Sequence, residues 1–255
     1  MRIKIEAIPL NSDCRIPIQY NSSIQGYIYR MFENTMPELH DNGYKVGNKT
    51  FKHFCFSRIT SKGMKFINRT IKISNPIYFD MSFFIDPMPN IVIKHLIRER
   101  ILRIGNEEFA IRNAYASSEP FTGDEEEVAF DFQTSSPICT YKTRENEEYP
   151  TYYSPFEPEF YELLKNNLKL KYESIFGEEP SEDLDCFIVP VNVDPKRTLA
   201  KVYYKRTPIE AYSGKFHFKG SGKLAQIAFN TGFGSKNPQG FGLVNFSNCK
   251  ILSEL

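Results

Sequence analysis

Toward the end of the 255-residue chain, Gly232-Phe233-Gly234-Ser235-Lys236-Asn237-Pro238-Gln239-Gly240-Phe241-Gly242 sets two Gly-Phe-Gly triplets around a single lysine. Glycine has no Cβ, so its backbone N–H can approach an anion closely, and Lys236 adds a charge beside it. The run reads as a phosphate cradle on a peripheral loop, with Gly232, Gly234, Lys236, Gly240 and Gly242 as its contacts. It is not a Walker loop, because no Gly-Lys-Ser/Thr closes it, and its spacing is not that of a dinucleotide-binding fingerprint. A glycine-rich hairpin with aromatics packed beneath it is the alternative.

Charge supports an anionic ligand. The net charge is only +1, but Lys196 to Lys223 holds Lys196, Arg197, Lys201, Lys205, Arg206, Lys215, Lys219 and Lys223 against Glu210 alone. A second basic stretch runs through Lys45, Lys49, Lys52, Arg58, Lys62, Lys65, Arg69 and Lys72. Phe51, Phe54, Phe66, Tyr203, Tyr204 and Phe216 lie among these cations and could stack on bases, which suits a polyanion such as single-stranded nucleic acid. Ordinary solvated strand faces would have the same composition. The five cysteines, Cys14, Cys55, Cys139, Cys186 and Cys249, are scattered without a Cys-x-x-Cys pair or a histidine at ligand spacing. That pattern argues against structural zinc and against a disulfide framework, and no cofactor is expected. The first residues alternate like a strand and no apolar run is long enough to span a bilayer, so a cytoplasmic protein is expected.

The elements that must position these groups fall into two similar series. Arg2 to Pro9 reads as a strand, and Asn21-Ser22-Ser23 caps a helix that shows Ile24, Ile28, Met31 and Phe32 on one face until Pro37. Strands at about 50–59 and 69–85, the latter broken near Ser74-Asn75-Pro76, precede a helix at about 89–100 and a strand at 108–114. After the acidic turn at Gly123-Asp124-Glu125-Glu126-Glu127 the order repeats. Residues 128–133 read as a strand, 158–174 as a helix with Phe160, Leu163, Leu164 and Leu168 at helical spacing, and 187–193, 198–204 and 215–218 as strands. A short helix at 222–229 and a strand at 243–252 follow. The first series is β-α-β-β-α-β and the second follows the same plan with one more strand between its helices, so the fold expected is α+β, with tandem ferredoxin-like domains at 1–122 and 123–255 and the glycine loop at 232–242 in the second.

Two such halves ending in Gly-Phe-Gly-Ser-Lys-Asn-x-x-Gly-Phe-Gly resemble the RAMP superfamily, and specifically the CRISPR-associated endoribonucleases of Cas family six. The likeness spans nearly the whole chain and includes Ile24-Gln25-Gly26-Tyr27-Ile28-Tyr29 and Gly242-Leu243-Val244. It implies metal-independent cleavage of precursor CRISPR RNA within each repeat, by attack of a ribose 2′-OH on the adjacent phosphate, leaving a 2′,3′-cyclic phosphate and a 5′-OH. It also implies a catalytic set at Tyr29, His40 and Lys49, with RNA held by Lys52, Lys201, Lys205, Arg206, His217 and the glycine loop. Histidine suits proton transfer because its ordinary pKa of roughly 6.5 lies near working pH.

The residues themselves are compatible with these roles. Tyr29 sits about 100° around the helix from Ile28 and off its apolar stripe. His40 follows Pro37 in a polar segment, and Lys49 opens a strand. Surface loop, half-buried ring and solvated lysine are the plain alternatives. Lys52 competes with Lys49 for the cationic role, and His53, on a strand face with Phe51 and Cys55, reads as a packed histidine held in reserve; His95 lies on the second helix. A carrier of the same superfamily without cleavage, and a ferredoxin-like enzyme or sensor for a small phosphorylated ligand, are the rival functions. The resemblance leaves open a homodimer and retention of product in an interference complex.

Overall fold

The computed structural model describes residues 1–117, 119–143, 149–205 and 207–251. Arg206 and Leu252 therefore lie outside the described residues.

In the first half, the antiparallel sheet runs Ile101–Ile104, Glu107–Ser117, Arg2–Pro9, Ile77–Phe83, Phe54–Phe56. Ile3, Ile5 and Ala7 alternate onto its covered face, as the two-residue repeat of a strand requires. They meet Ile24, Ile28, Met31 and Phe32 of helix α1 (Asn21–Phe32) and Val92 and Leu96 of the helix at Met88–Arg98. Between them lies α2, the single turn Glu38–Asp41. The second half repeats the plan with strands in the order Cys186–Asn192, Lys215–Gly220, Val128–Thr134, Val244–Ile251, covered by α4 (Pro158–Phe176) and α5 (Gly222–Thr231). Leaving aside the Ile101–Ile104 hairpin strand, both sheets have the fourth-first-third-second order of the ferredoxin-like fold. Register places Phe130 opposite Phe218 and Phe132 opposite Phe216, so aromatic pairs fill the second core. Phe121 already packs there, with its ring 5.2 Å from Phe130.

The two halves are joined through helix α5. Arg2 of the first sheet donates to Phe229 O at 3.1 Å and to Asn245 Oδ1 at 2.9 Å, with its guanidinium 4.1 Å above the Phe229 ring. A cation at the carbonyl end of a helix also complements the helix dipole.

Three local readings change in the structure. The strand expected across 50–59 is two elements, Lys49–Phe51 paired in a hairpin with Tyr44–Val46, and Phe54–Phe56 in the main sheet. The break falls at His53, whose φ of 53° cannot continue a strand. The helix expected to be capped by Asn21 has Tyr20 as its N-cap and no side-chain cap bond, because the Asn21 amide donates instead to Gln239 O at 2.7 Å. The hairpin Leu199–Tyr204 with Thr207–Tyr212 reaches from the second half back to α1, where the Tyr204 hydroxyl donates to Gln25 Oε1.

Candidate functional site

Helix α1 buries Ile28 and leaves the next residue, Tyr29, half-buried at the edge of the core. Pro37 ends the chain's descent from α1 and starts the short turn of α2, which carries His40 back across the helix. The rings of Tyr29 and His40 meet edge to face with centroids 4.7 Å apart, and Phe54 closes the other side of Tyr29 at 5.5 Å. A hollow of about 260 Å³ opens there, lined by Tyr29, Arg30, Glu33, Met36, Pro37 and His40.

Electrostatics gives the two rings different abilities. His40 Nδ1 lies 2.6 Å from Asp41 Oδ1. The carboxylate can only accept, so Nδ1 bears the hydrogen and Nε2 is left to exchange a proton. Burial pushes the Tyr29 hydroxyl up to about 12, with Tyr204 and Asp41 adding to the effect. Tyr29 thus stays protonated near neutral pH and acts as a hydrogen-bond donor.

The lysines are divided. Lys52 Nζ donates to Leu39 O and His40 O, both at 2.7 Å, and so closes the carbonyl end of α2. Gly43, at φ 58°, lets Lys52 pass: a Cβ there would stand 2.5 Å from Phe51 O and 2.9 Å from the Lys52 stem. Lys49 is exposed on its hairpin and faces a different, larger cavity of about 630 Å³, whose wall Lys52 also joins. The structure therefore brings Tyr29 and His40 together and puts Lys52 against them, while Lys49 stands on the neighbouring wall.

The other histidines are engaged elsewhere. His53 is buried with Nε2 3.0 Å from Ser174 Oγ, and burial, reinforced by Lys171, pushes its pKa down to about 3. It stays neutral at working pH. His217 Nδ1 is 2.9 Å from Asp131 Oδ1, and His95 Nε2 is 3.6 Å from Glu99.

The glycine loop departs from its reading as a peripheral cradle. Its amides are donated within the protein: Gly232 N to Ala228 O, Phe233 N to Gly242 O, Ser235 N to Cys139 O, Gly240 N to Asn237 O and Gly242 N to Pro137 O, at 2.8 to 3.0 Å. Gly232, Gly234, Gly240 and Gly242 are buried with φ between 67° and 86°. A Cβ on Gly242 would lie 2.0 Å from Phe233 O, and one on Gly240 would lie 2.5 Å from the Phe56 ring. Each triplet turns its phenylalanine inward: Phe233 stacks on Phe132 at 4.4 Å, and Phe241 joins Cys139, Ile209 and Ala211. Gly240 is needed for close packing between the halves, and Gly232, Gly234 and Gly242 for close packing within the second. What the loop shows outward is Ser235, Pro238, Gln239 and Lys236, whose Nζ sits 4.6 Å over the Tyr141 ring.

Lys171, absent from the sequence-derived set, holds this loop from behind. It is 2 % exposed in the middle of α4, donates to Gly232 O at 2.6 Å, and is pushed down to about 7 by burial. Asn167, Lys171 and Ser174 recur at helical spacing on the face that also bears Phe160, Leu164 and Leu168, and polar residues on an apolar stripe were the available signal. Of the expected RNA contacts on the hairpin, Lys201 pairs with Glu210 at 3.0 Å, and Lys205, at φ 55°, lies over the Tyr204 ring at 5.9 Å. Among the described residues, no three His, Cys, Asp or Glu side chains gather as a metal site would need. None of the helices among the described residues is long and apolar enough to cross a membrane.

With this geometry in hand, the chain was compared with known proteins. Residues 118–246 match the family described as CRISPR associated protein Cas6, C-terminal. The chain is 27% identical to the CRISPR-associated endoribonuclease Cas6 of Pyrococcus furiosus, across 100% of this chain and 93% of the relative. It is 26% identical to CRISPR-associated endoribonuclease Cas6 1 of Methanocaldococcus jannaschii, across 96% and 92%. Among solved structures, the product of a Cas6-related gene from Pyrococcus furiosus superposes with a TM-score of 0.81 at 22% identity, covering 97% of this chain and 98% of the other. A RAMP protein described as binding different RNA substrates gives 0.77 at 21%, covering 97% and 100%. These superpositions bear out the tandem ferredoxin-like fold.

Proposed function

The chain belongs to the Cas6 family of CRISPR-associated proteins, and from that membership we propose that it is an endoribonuclease that binds the repeat of a CRISPR precursor transcript and cuts it within each repeat. The relatives named as endoribonucleases support the substrate class. The observation that carries the chemistry is the edge contact of Tyr29 with His40, whose Nδ1 is pinned by Asp41.

The reaction proposed is attack of a 2′-oxygen on the adjacent phosphorus, without a metal. The new O–P bond forms as the bond to the 5′-oxygen breaks, and the net proton movement is from the 2′-oxygen to the 5′-oxygen through His40 Nε2. The Tyr29 hydroxyl, held protonated by its half-buried position, donates to a non-bridging oxygen of the phosphorane. Lys52 keeps the His40 turn in place, and its charge with that of Lys49 offsets the charge that develops on phosphate. The RNA backbone runs past Lys236 and the basic hairpin that bears Lys201 and Lys205. His217 extends that track.

The test is cleavage of the cognate repeat RNA in EDTA, with end-group analysis of the products. A 2′,3′-cyclic phosphate is expected, together with no cleavage of a substrate carrying a 2′-deoxyribose at the cut. Activity that needs added magnesium, or cleavage of the deoxy substrate at the same bond, would refute the mechanism. Tight binding of repeat RNA with no cleavage under any of these conditions would make the protein a carrier.

A further inference from the structure

The cavity of about 630 Å³ between the halves is lined by two acceptors that no group among the described residues satisfies. His53, 3 % exposed, and Asn167, 7 % exposed, both line it. Their Nδ1 and Oδ1 atoms are buried without a hydrogen-bond partner. The tautomer of His53 follows from its neighbour. The single hydroxyl hydrogen of Ser174 is donated to Lys171 O at 2.8 Å, so Ser174 Oγ must accept from His53 Nε2–H. Nδ1 is therefore a bare lone pair.

Leaving buried acceptors unmet is costly, so a ligand that donates to them gains what the apo site lacks. A phosphate cannot do this, because it only accepts. The rest of the wall nevertheless suits a nucleotide: Lys49, Lys142 and Lys236 line the cavity, Phe51 and Tyr141 contribute rings, and no carboxylate lines it among the described residues. Bases stack on such rings whatever their sequence, whereas edge hydrogen bonds discriminate among them.

We infer that this cavity is a base-reading subsite beside the cleavage hollow, in which His53 Nδ1 and Asn167 Oδ1 accept from the exocyclic amino group of an adenine or cytosine. The inference rests on the proposed RNA substrate and adds a sequence preference to it. Uracil is disfavoured: it has no amino group, and its N3–H lies between two carbonyl oxygens that would be pressed against the same acceptors.

The probes are fluorescein-labelled rA8, rC8 and rU8, with affinities measured by anisotropy on the full chain at one fixed salt concentration. At least one of rA8 and rC8 should bind about tenfold or more tighter than rU8, the order expected for hydrogen bonds to a base edge. Asn167→Leu and His53→Phe should each reduce that affinity to the rU8 level while leaving rU8 binding as it was. If His53→Phe does not fold, Asn167→Leu and the wild-type comparison decide. Discrimination that survives in a folded variant overturns the assignment. If repeat RNA is bound and cut while the three oligomers bind alike or not at all, the base-reading subsite falls and the endoribonuclease stands. If no RNA of any kind binds, the underlying function falls with it.

Discussion

His40 and His53 lie on either side of Lys52, each near a lysine and an aromatic ring, yet the fold gives them opposite properties. His40 is exposed with its Nδ1 against a carboxylate, an arrangement that leaves Nε2 open to a substrate. His53 is buried between the halves near the amine of Lys171 and stays neutral. Solvent and the sign of the nearest charge, more than residue type, decide which histidine can move protons. The same contrast separates the regions around them. The His40 hollow is an open surface where side chains can be exchanged cheaply, and the glycine loop with Lys171 is a packed support where they cannot.

The strongest break of this contrast is Gly242→Val. Its Cβ would meet a carbonyl oxygen at 2.0 Å in a left-handed backbone, so the variant should lose more than about 4 kcal/mol of stability or fail to fold. A urea melt close to wild type would show that the loop is the peripheral element read from sequence. His40→Ala should do the reverse. It should slow single-turnover cleavage by roughly 10²-fold or more, with the melting temperature and the affinity for a 2′-deoxy substrate little changed. If it cuts at the wild-type rate, His40 is not the proton-transfer group. His53→Phe sharpens the pair, because its loss should appear mainly in the RNA concentration needed and less in the rate at saturation.

Lys52→Met comes next. Without the two bonds to Leu39 O and His40 O the α2 turn loses its anchor, and cleavage should fall tenfold or more, since even one bond to a charged donor is worth about 1.5–3 kcal/mol. Lys52→Arg should restore part of that rate. An unaltered rate in Lys52→Met, with a large loss in Lys49→Ala, would move the cationic role to Lys49.

The smallest effect is one of pH. Lys171 is held at about 7 in the folded protein against an ordinary value of 10.5. Between those values the unfolded amine is protonated while the folded one is mostly neutral, so stability rises with pH as the proton that favours the unfolded chain becomes scarcer. From pH 7 to 8.5, wild type should therefore gain stability relative to Lys171→Met in parallel urea melts. A constant difference between the two across that range would show that the amine does not titrate there.

Much of the architecture was legible because it is locally encoded. The 3.6-residue stripe of Ile24, Ile28 and Phe32 and the alternation of Ile3, Ile5 and Ala7 identify elements without reference to the rest of the chain. Their order then restricts the fold to few arrangements. Tyr29 and His40 were legible through resemblance, and their ring contact is the outcome of a turn that Pro37 signals. Lys52 was visible as an RNA contact and as a rival to Lys49, because both precede aromatic residues in the same basic stretch, and only the fold decides which one reaches His40.

What the sequence determined by itself, then, was the two similar series of strands and helices, the basic stretches and the presence of a glycine-rich loop. The tertiary structure alone decided that the loop's amides face inward, that Lys171 supports it, and that His53 and Asn167 open into one cavity. The reason is physical. Periodicity and turn chemistry act over a few residues, whereas burial, pKa and the partner of each amide depend on which distant segments meet. His53 is separated from Ser174 by 121 positions in the chain, and no local pattern at either residue specifies that contact.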